Sequence, residues 1–564
     1  MRCLRRFSLL TLLVCGLMFA PGAGSLGGLG ARATFGQTTT ASPYAGDPAG
    51  ATTGKASDIA TAGATATADD AKAIAAATGP GMQFLADSVG QDRIGLNMAW
   101  LLICGFLVMF MQAGFALVET GFTRAKSATH TMMMNFTVYF LGMLGFWAVG
   151  FGLMYGAAGP IGALGGMAPF SDSTAKFNIE NFGSLFATKG FFLAGDSYDV
   201  AVCAMFLFQV VFMDTAVTIP TGAMAERWKF TAFIPYCFFV SMFLYPLFGH
   251  WAWGGGWLSQ LGNNFGLGAG YVDFAGSGVV HTVGGMCGLA GAMVLGPRLG
   301  KYNRDGSANA IPGHNICLAL TGVMILGFGW FGFNAGSTFG AAGGGNLRIG
   351  TVATTTMLAS AGGGAISMLY MYLTTKKPDP TMVGNGFLGG LVAITAPCAF
   401  VSPSMGVLIG AIGGLIVCWA VAFLDNIHVD DPIGAVAVHA GAGLWGVFAV
   451  GIFADGTYGA GWNATVNSTG AGVPVIGLLY GGTGQFWAQL IGAVTAAVWG
   501  FGASYAFFKI QSALTRGGIR SSVEDELGGL DIPDMGIVAY PPAEAEPEYI
   551  PDAPAQTPAP AALF

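Results

Sequence analysis

Apolar runs long enough to cross a bilayer recur along most of this chain, separated by short polar connections. A helical crossing needs about 20 mostly apolar residues. Eleven stretches meet that requirement, at roughly 96–118, 131–156, 200–222, 230–252, 277–297, 315–336, 349–373, 382–400, 404–424, 433–454 and 484–508. The pattern predicts an all-α integral membrane protein with eleven transmembrane helices over residues 96–508. Pro220, Pro235, Pro246 and Pro397 fall inside these runs. Spans tolerate this because neighbouring helices satisfy the freed backbone groups.

The ends read differently. Arg2, Arg5 and Arg6 precede an apolar run at 7–20, and small residues follow. That is the pattern of a secretory signal over 1–24. An uncleaved first span is the other reading, but the run is short for one. Residues 25–95 are rich in Ala, Gly, Thr and Asp and poor in aromatics, which predicts a flexible extracytoplasmic segment. Residues 509–564 form a polar tail that turns rich in Pro, Ala and Glu after Tyr540, and its end is expected to be disordered.

Basic residues orient the spans. Arg124 and Lys126, Arg227 and Lys229, Arg298, Lys301 and Arg304, Lys376 and Lys377, and Lys509 lie in alternate connections. The opposite connections hold Lys176, Lys189 and Arg348. The rule makes the first set cytoplasmic, the N-terminus external and the tail cytoplasmic, in a plasma (inner) membrane. The secretory signal argues independently for the same orientation.

Composition narrows the function. Charged residues are 9% of the 564, net charge is −7 and mean hydropathy is +0.62. A soluble domain usually carries about 25% charged residues, so a soluble enzyme is excluded. No basic patch suits nucleic acid. Seven cysteines sit in apolar runs, where they read as small hydrophobes. No nucleophile–base pair and no complete metal-ligand set stands out, so neither an enzyme nor a cofactor is expected.

One pattern occurs twice. Asp273, Gly276, His281, Gly285 and Gly288 have the same spacing as Asp431, Gly434, His439, Gly443 and Gly446. The copies fall on the fifth and tenth runs, so they cross the membrane in opposite directions. This predicts a five-plus-five inverted repeat followed by an eleventh helix, with the site between the halves near mid-membrane. His281 and His439 are then candidates to face each other. Gly285 and Gly443, one turn later, offer a small face for close packing. A lone membrane histidine is commonly a buried group bonded to backbone. A symmetric pair points to a path, because ionisable groups in spans are costly. Two histidines alone are half a zinc shell, which disfavours a metal site.

These residues resemble the ammonium transporter (Amt/Mep/Rh) family, its Amt branch in particular, over roughly 95–540. The resemblance rests on Asp273-Phe-Ala-Gly, Gly329-Trp-Phe-Gly-Phe-Asn-Ala-Gly-Ser337, Asp430-Asp-Pro and the two histidines. Phe208-Gln-Val-Val-Phe212, Ala223-Met-Ala-Glu-Arg227, Trp253-Gly-Gly-Gly and the tail from Glu524 to Tyr540 add to it. It implies a homotrimer in which each subunit has its own narrow pore. It also implies that Phe208, Trp253 and Ser337 form an outer ammonium site. Phe212 floors that site and pairs with Phe333 as a gate, Asp273 shapes the vestibule, and His281 and His439 line the pore. Methylammonium is the expected analogue substrate, and a PII-type protein is a regulator at the cytoplasmic face of many bacterial members.

The chemistry suits those assignments. Aromatic faces attract a small cation by about 0.5–2 kcal/mol, and a serine hydroxyl accepts a hydrogen bond. A competing function is an ammonium sensor that signals through a separate partner, since the tail has no room for a kinase. Both histidines are present, which favours conduction. Two acids are left over. Glu119, at the cytoplasmic end of the first run, is within reach of Arg124 or Lys126 in sequence. Asp214 is an intramembrane acid with no assigned role. Asn463 and Asn467 head external glycosylation sequons, which matter only in a eukaryotic host.

Overall fold

The computed structural model describes residues 80–156, 162–164, 185–343 and 348–541. The leader 1–24, residues 25–79, Lys176 and the tail beyond 541 lie outside the described residues.

Among the described residues, eleven apolar helices follow one another. The first five are α1 (Pro80–Phe122), α2 (Ala128–Gly145, carried on through Phe146–Gly150 to Phe151–Tyr155), α3 (Val200–Ala223), α4 (Phe230–Phe239, Val240–Leu244 and Tyr245–Ala252) and α5 (Ser277–Thr282 and Val283–Leu295). Then come α6 (Ile316–Trp330 and Phe331–Ala335), α7 (Ile349–Thr375), α8 (Pro380–Ile394), α9 (Pro403–Asn426), α10 (Ala437–Gly441 and Ala442–Phe453) and α11 (Thr483–Leu514). Nine are long and apolar enough to cross a membrane; α8 and α10 are shorter. Both short helices adjoin non-helical backbone, at 395–401 and 429–434. Such backbone is tolerated at membrane depth only where protein encloses it, and Thr395, Ala396, Cys398 and Phe400 are fully buried.

Polar caps start several helices. Asp199 accepts from the N–H groups of Ala201 and Val202, Asn315 from Leu318, and Asp379 from Thr381. Each satisfies donors that a helix start leaves unpaired.

Two boundaries differ from the sequence reading. Residues 80–95, assigned to the flexible segment, are the opening turns of α1. Ile94 packs to 4% exposure, and the Asn97 amide donates to the Ala163 carbonyl at 2.7 Å. These tertiary anchors hold helix where composition suggested none. The eleventh helix also runs past 508 to Leu514, and the tail after it is docked. Lys229 N–H donates to Ile519 O and Ser521 N–H to Arg227 O, a short helix α12 spans Val523–Gly528, and a wide turn covers Asp531–Met535. The Lys126 ammonium donates to the carbonyls of Glu526 and Leu527, and Asp531 accepts from His130 N–H.

The side of the bundle carrying this tail also carries a buried ion network. Arg298 bonds Asp430 through Nε at 2.8 Å and Glu226 through Nη1 at 3.0 Å, and Arg124 pairs with the same glutamate. Arg227 donates to the carbonyls of Ala223, Ala225, Gly296 and Asp430. Burial pulls the Asp430 carboxyl up, but Arg227 and Arg298 outweigh it and hold it below the usual carboxylate range. Burial lowers the Arg227 guanidinium to about 10.

Candidate functional site

The repeated pattern builds two matching corners. Gly276 and Gly434 both have left-handed backbone, at φ +118° and +81°, which costs an L side chain strain but glycine little. Asp273 accepts from Gly276 N–H at 2.8 Å, Gly278 N–H at 2.8 Å and Val279 N–H at 2.9 Å. Asp431 accepts from Val436 N–H at 2.9 Å and Ala437 N–H at 3.2 Å. In both copies the acceptor is the acid, and the donors lie five and six residues on. Burial pushes the Asp273 carboxyl up while these N–H groups pull it down. Burial drives Asp431 up to about 6.

After each corner the helix opens one wide turn, over Ser277–Thr282 and Ala437–Gly441, and each turn holds a histidine. His281 N–H reaches back to the Gly276 carbonyl at 3.0 Å, five residues away instead of four. Wide turns of this kind recur at functional sites. They turn the two imidazoles toward each other, and Nδ1 of His281 lies 3.1 Å from Nδ1 of His439. Glycines make the approach possible. A Cβ on Gly285 would sit 2.3 Å from Ala440 N, and one on Gly443 would sit 2.7 Å from Ser277 O.

A continuous series of contacts leads from this pair. Phe333 stacks near His281 at 5.5 Å and on Phe212 at 4.0 Å, and Phe212 meets Phe208 at 4.7 Å and Trp253 at 6.3 Å. The Trp253 indole N–H donates to the Asp273 carbonyl at 2.7 Å, which fixes the ring. The Ser337 hydroxyl donates to Phe333 O at 2.8 Å, so its lone pairs stay available to an incoming donor. All eight residues singled out from sequence therefore belong to one connected assembly. Phe208, Phe212 and Phe333 are fully enclosed, so the aromatic stack is shut.

Sequence reasoning missed several neighbours. Trp330 stacks on His281 at 5.3 Å and donates its N–H to Thr395. It stood inside the quoted Gly-Trp-Phe-Gly motif, where its ring could have been weighed. Phe115 lies 6.0 Å from His439. Glu119 does not pair with Arg124 or Lys126, which are engaged by Glu226 and by the tail. It accepts from the Asn135 amide at 2.8 Å and lies against the Thr221 hydroxyl. Asp214 is buried, and its Oδ1 has no partner.

An inverted helical repeat with an enclosed aromatic stack beside buried, facing imidazoles is the architecture of a multi-pass membrane transport protein. Comparison with known proteins makes the class specific. Residues 99–540 match the model of the Ammonium Transporter Family, and the chain belongs to that family. It is 47% identical over 451 residues to ammonium transporter Amt2 of Archaeoglobus fulgidus, covering 80% of this chain and 89% of that one. It is 36% identical over 457 residues to Amt1 of Haloferax mediterranei, covering 79% and 80%. Among solved structures it superposes on a sensor Amt protein with TM-score 0.66 and 33% identity, covering 79% of this chain and 99% of that one. It shares the fold of Candida albicans Mep2, with TM-score 0.62 and 24% identity, covering 76% and 87%. Its function is ammonium transport through a multi-pass membrane domain.

Proposed function

We propose that ammonium is captured between Trp253 and Ser337, loses its proton above the Phe212–Phe333 stack, and crosses as ammonia past His281 and His439. The observation that carries this reading is the facing imidazole pair directly beneath the closed aromatic stack. A bare cation entering so apolar a passage forfeits its hydration, at a cost far above what one aromatic face returns. Neutral ammonia forfeits little. The proton travels separately, and imidazoles suit that task near neutral pH. Potassium has no proton to shed, so the same passage rejects it.

The residues have distinct tasks. Trp253 presents a π face, and Ser337 offers lone pairs because its hydrogen is committed to Phe333 O. Phe208 backs Phe212, and Phe212 with Phe333 forms a gate that moves aside. Asp273 holds the corner leading to His281. The tail side is the cytoplasmic side of a plasma membrane, the N-terminus is external after a cleaved leader, and the protein works as a homotrimer with methylammonium as analogue substrate. The docked tail offers a PII-type regulator a defined surface at the cytoplasmic mouth.

The deciding experiment uses the purified protein in liposomes, with ammonium and methylammonium uptake and current recorded together. His281→Ala with His439→Ala is expected to stay assembled and to lose selective ammonium transport, either by stopping or by leaking potassium. Unchanged ammonium flux with potassium still excluded would overturn the relay. Likeness to a sensor Amt protein favours a second reading, signalling through a partner, and it gains if the wild type moves no ammonium.

A further inference from the structure

Glu119 is a buried acid in the membrane with no basic partner. It lines a partly open cavity with His439, Phe115, Asn385 and Ile433 on the tail side of the histidine pair, and the cavity has room for about one water-sized molecule. The carboxyl touches the Asn135 amide of α2 at 2.8 Å and the Thr221 hydroxyl of α3 at 2.7 and 2.9 Å. Thr221 Oγ1 also lies 2.6 Å from the Thr218 carbonyl. A hydroxyl has one hydrogen to give. If it goes to the Thr218 carbonyl, the contact with Glu119 lacks one. If it goes to Glu119, two oxygens face each other across 2.6 Å with nothing between them. A hydrogen on the Glu119 carboxyl fills both contacts: the acid donates to Thr221, Thr221 donates to Thr218 O, and Asn135 donates to the other carboxyl oxygen.

We propose that Glu119 is the inner proton-exchange group of the pore, returning a proton to ammonia that has passed the histidines. This rests on the reading of an ammonia path lined by His281 and His439. In the cavity an N–H bond forms on ammonia as the O–H bond of Glu119 breaks, giving ammonium and a carboxylate. The carboxylate regains a proton from the His439 imidazolium, through a water that the cavity has room to hold. That proton is the one ammonium shed at the outer mouth, so nothing is consumed. Until reprotonated, the carboxylate keeps the Asn135 amide donor, which holds the side chain in place.

Glu119→Gln separates this role from a merely structural one. A glutamine amide accepts from Asn135 and donates to Thr221, as the protonated acid does, but releases no proton. In liposomes the variant is expected to assemble normally, exclude potassium, and carry ammonium at least about a hundred-fold more slowly, the lower end of what a positioned proton donor contributes. Infrared difference spectra with and without ammonium are expected to show a protonated carboxylic acid changing in the wild type and not in the variant. Wild-type flux in Glu119→Gln would overturn the proposal while leaving the histidine path standing; absent flux in the wild type would remove the path itself. If the variant does not assemble, wild-type protein with carbon-labelled glutamate carries the test. The absence of any ammonium-dependent glutamic acid signal from that protein would overturn the assignment.

Discussion

Nδ1 of His281 and Nδ1 of His439 are 3.1 Å apart, a gap that holds one hydrogen and not two. One ring is therefore the donor and the other the acceptor, and their outer nitrogens differ in the opposite sense. The His281 Nε2 is buried without a partner. A proton entering at one end of the pair can leave at the other by exchanging those roles.

The pair's stability follows from the same geometry. Replacing one histidine by alanine strands the other ring's Nδ1, at about 1–3 kcal/mol. Replacing both strands neither. Thermal unfolding in detergent is expected to rank each single variant below the double, with a coupling energy of the same order. Additive losses would refute it.

The proposed mechanism makes capture at low ammonium depend on Trp253 and Ser337. Trp253→Leu with Ser337→Ala is expected to weaken cation capture by about 1–2 kcal/mol, or roughly ten-fold. Uptake should suffer most at low external ammonium and recover as concentration rises. An uptake curve unchanged at the low end would move the outer site elsewhere.

The proposed mechanism makes the aromatic stack a barrier. Phe212→Ala removes a ring packed 4.0 Å from Phe333 and opens a hole beside the histidines. Buried Phe-to-Ala changes cost about 3–5 kcal/mol. Liposomes carrying this variant are expected to leak potassium above the wild-type level, with reduced thermal stability. A tight variant would show that exclusion resides in the histidines alone.

Arg298 holds two acids inside the tail-side network. Arg298→Met leaves Asp430 and Glu226 buried with a partner missing, at about 3–5 kcal/mol. Because Arg227 and Arg298 hold Asp430 below the usual carboxylate range, its contribution is complete above that range. It is lost only as pH falls through the lowered value. Melting temperatures of wild type and variant should therefore differ fully at neutral pH and converge in strong acid.

The spans, the inverted repeat and the histidine pair were legible because each leaves a periodic or repeated trace along the chain. Asp273 and Asp431 with their glycines stood out as two copies of one spacing, and the corners they build follow from the fold. What escaped depends on partners far apart in sequence. Arg298 finds Glu226 and Asp430 across connections of different helices, and Glu119 finds Asn135 and Thr221, not the bases nearest it. Residues 80–95 lacked a strong apolar period, and their helix is secured by contacts elsewhere in the fold. The wide turns at His281 and His439 left no local mark, since one extra residue per turn is invisible until a partner shows which way a ring points.

The close seam between α5 and α10 has a mechanical consequence. Gly285 lies against the backbone at Ala440, and Gly443 against the backbone between Ser277 and Thr282. Main chain resting on main chain leaves no layer of side chains to act as a bearing. A machine that rocked its halves to expose a cargo first to one face and then to the other would have to shear this seam every cycle. The proposed mechanism leaves this seam in place and asks only aromatic rings and hydrogens to move.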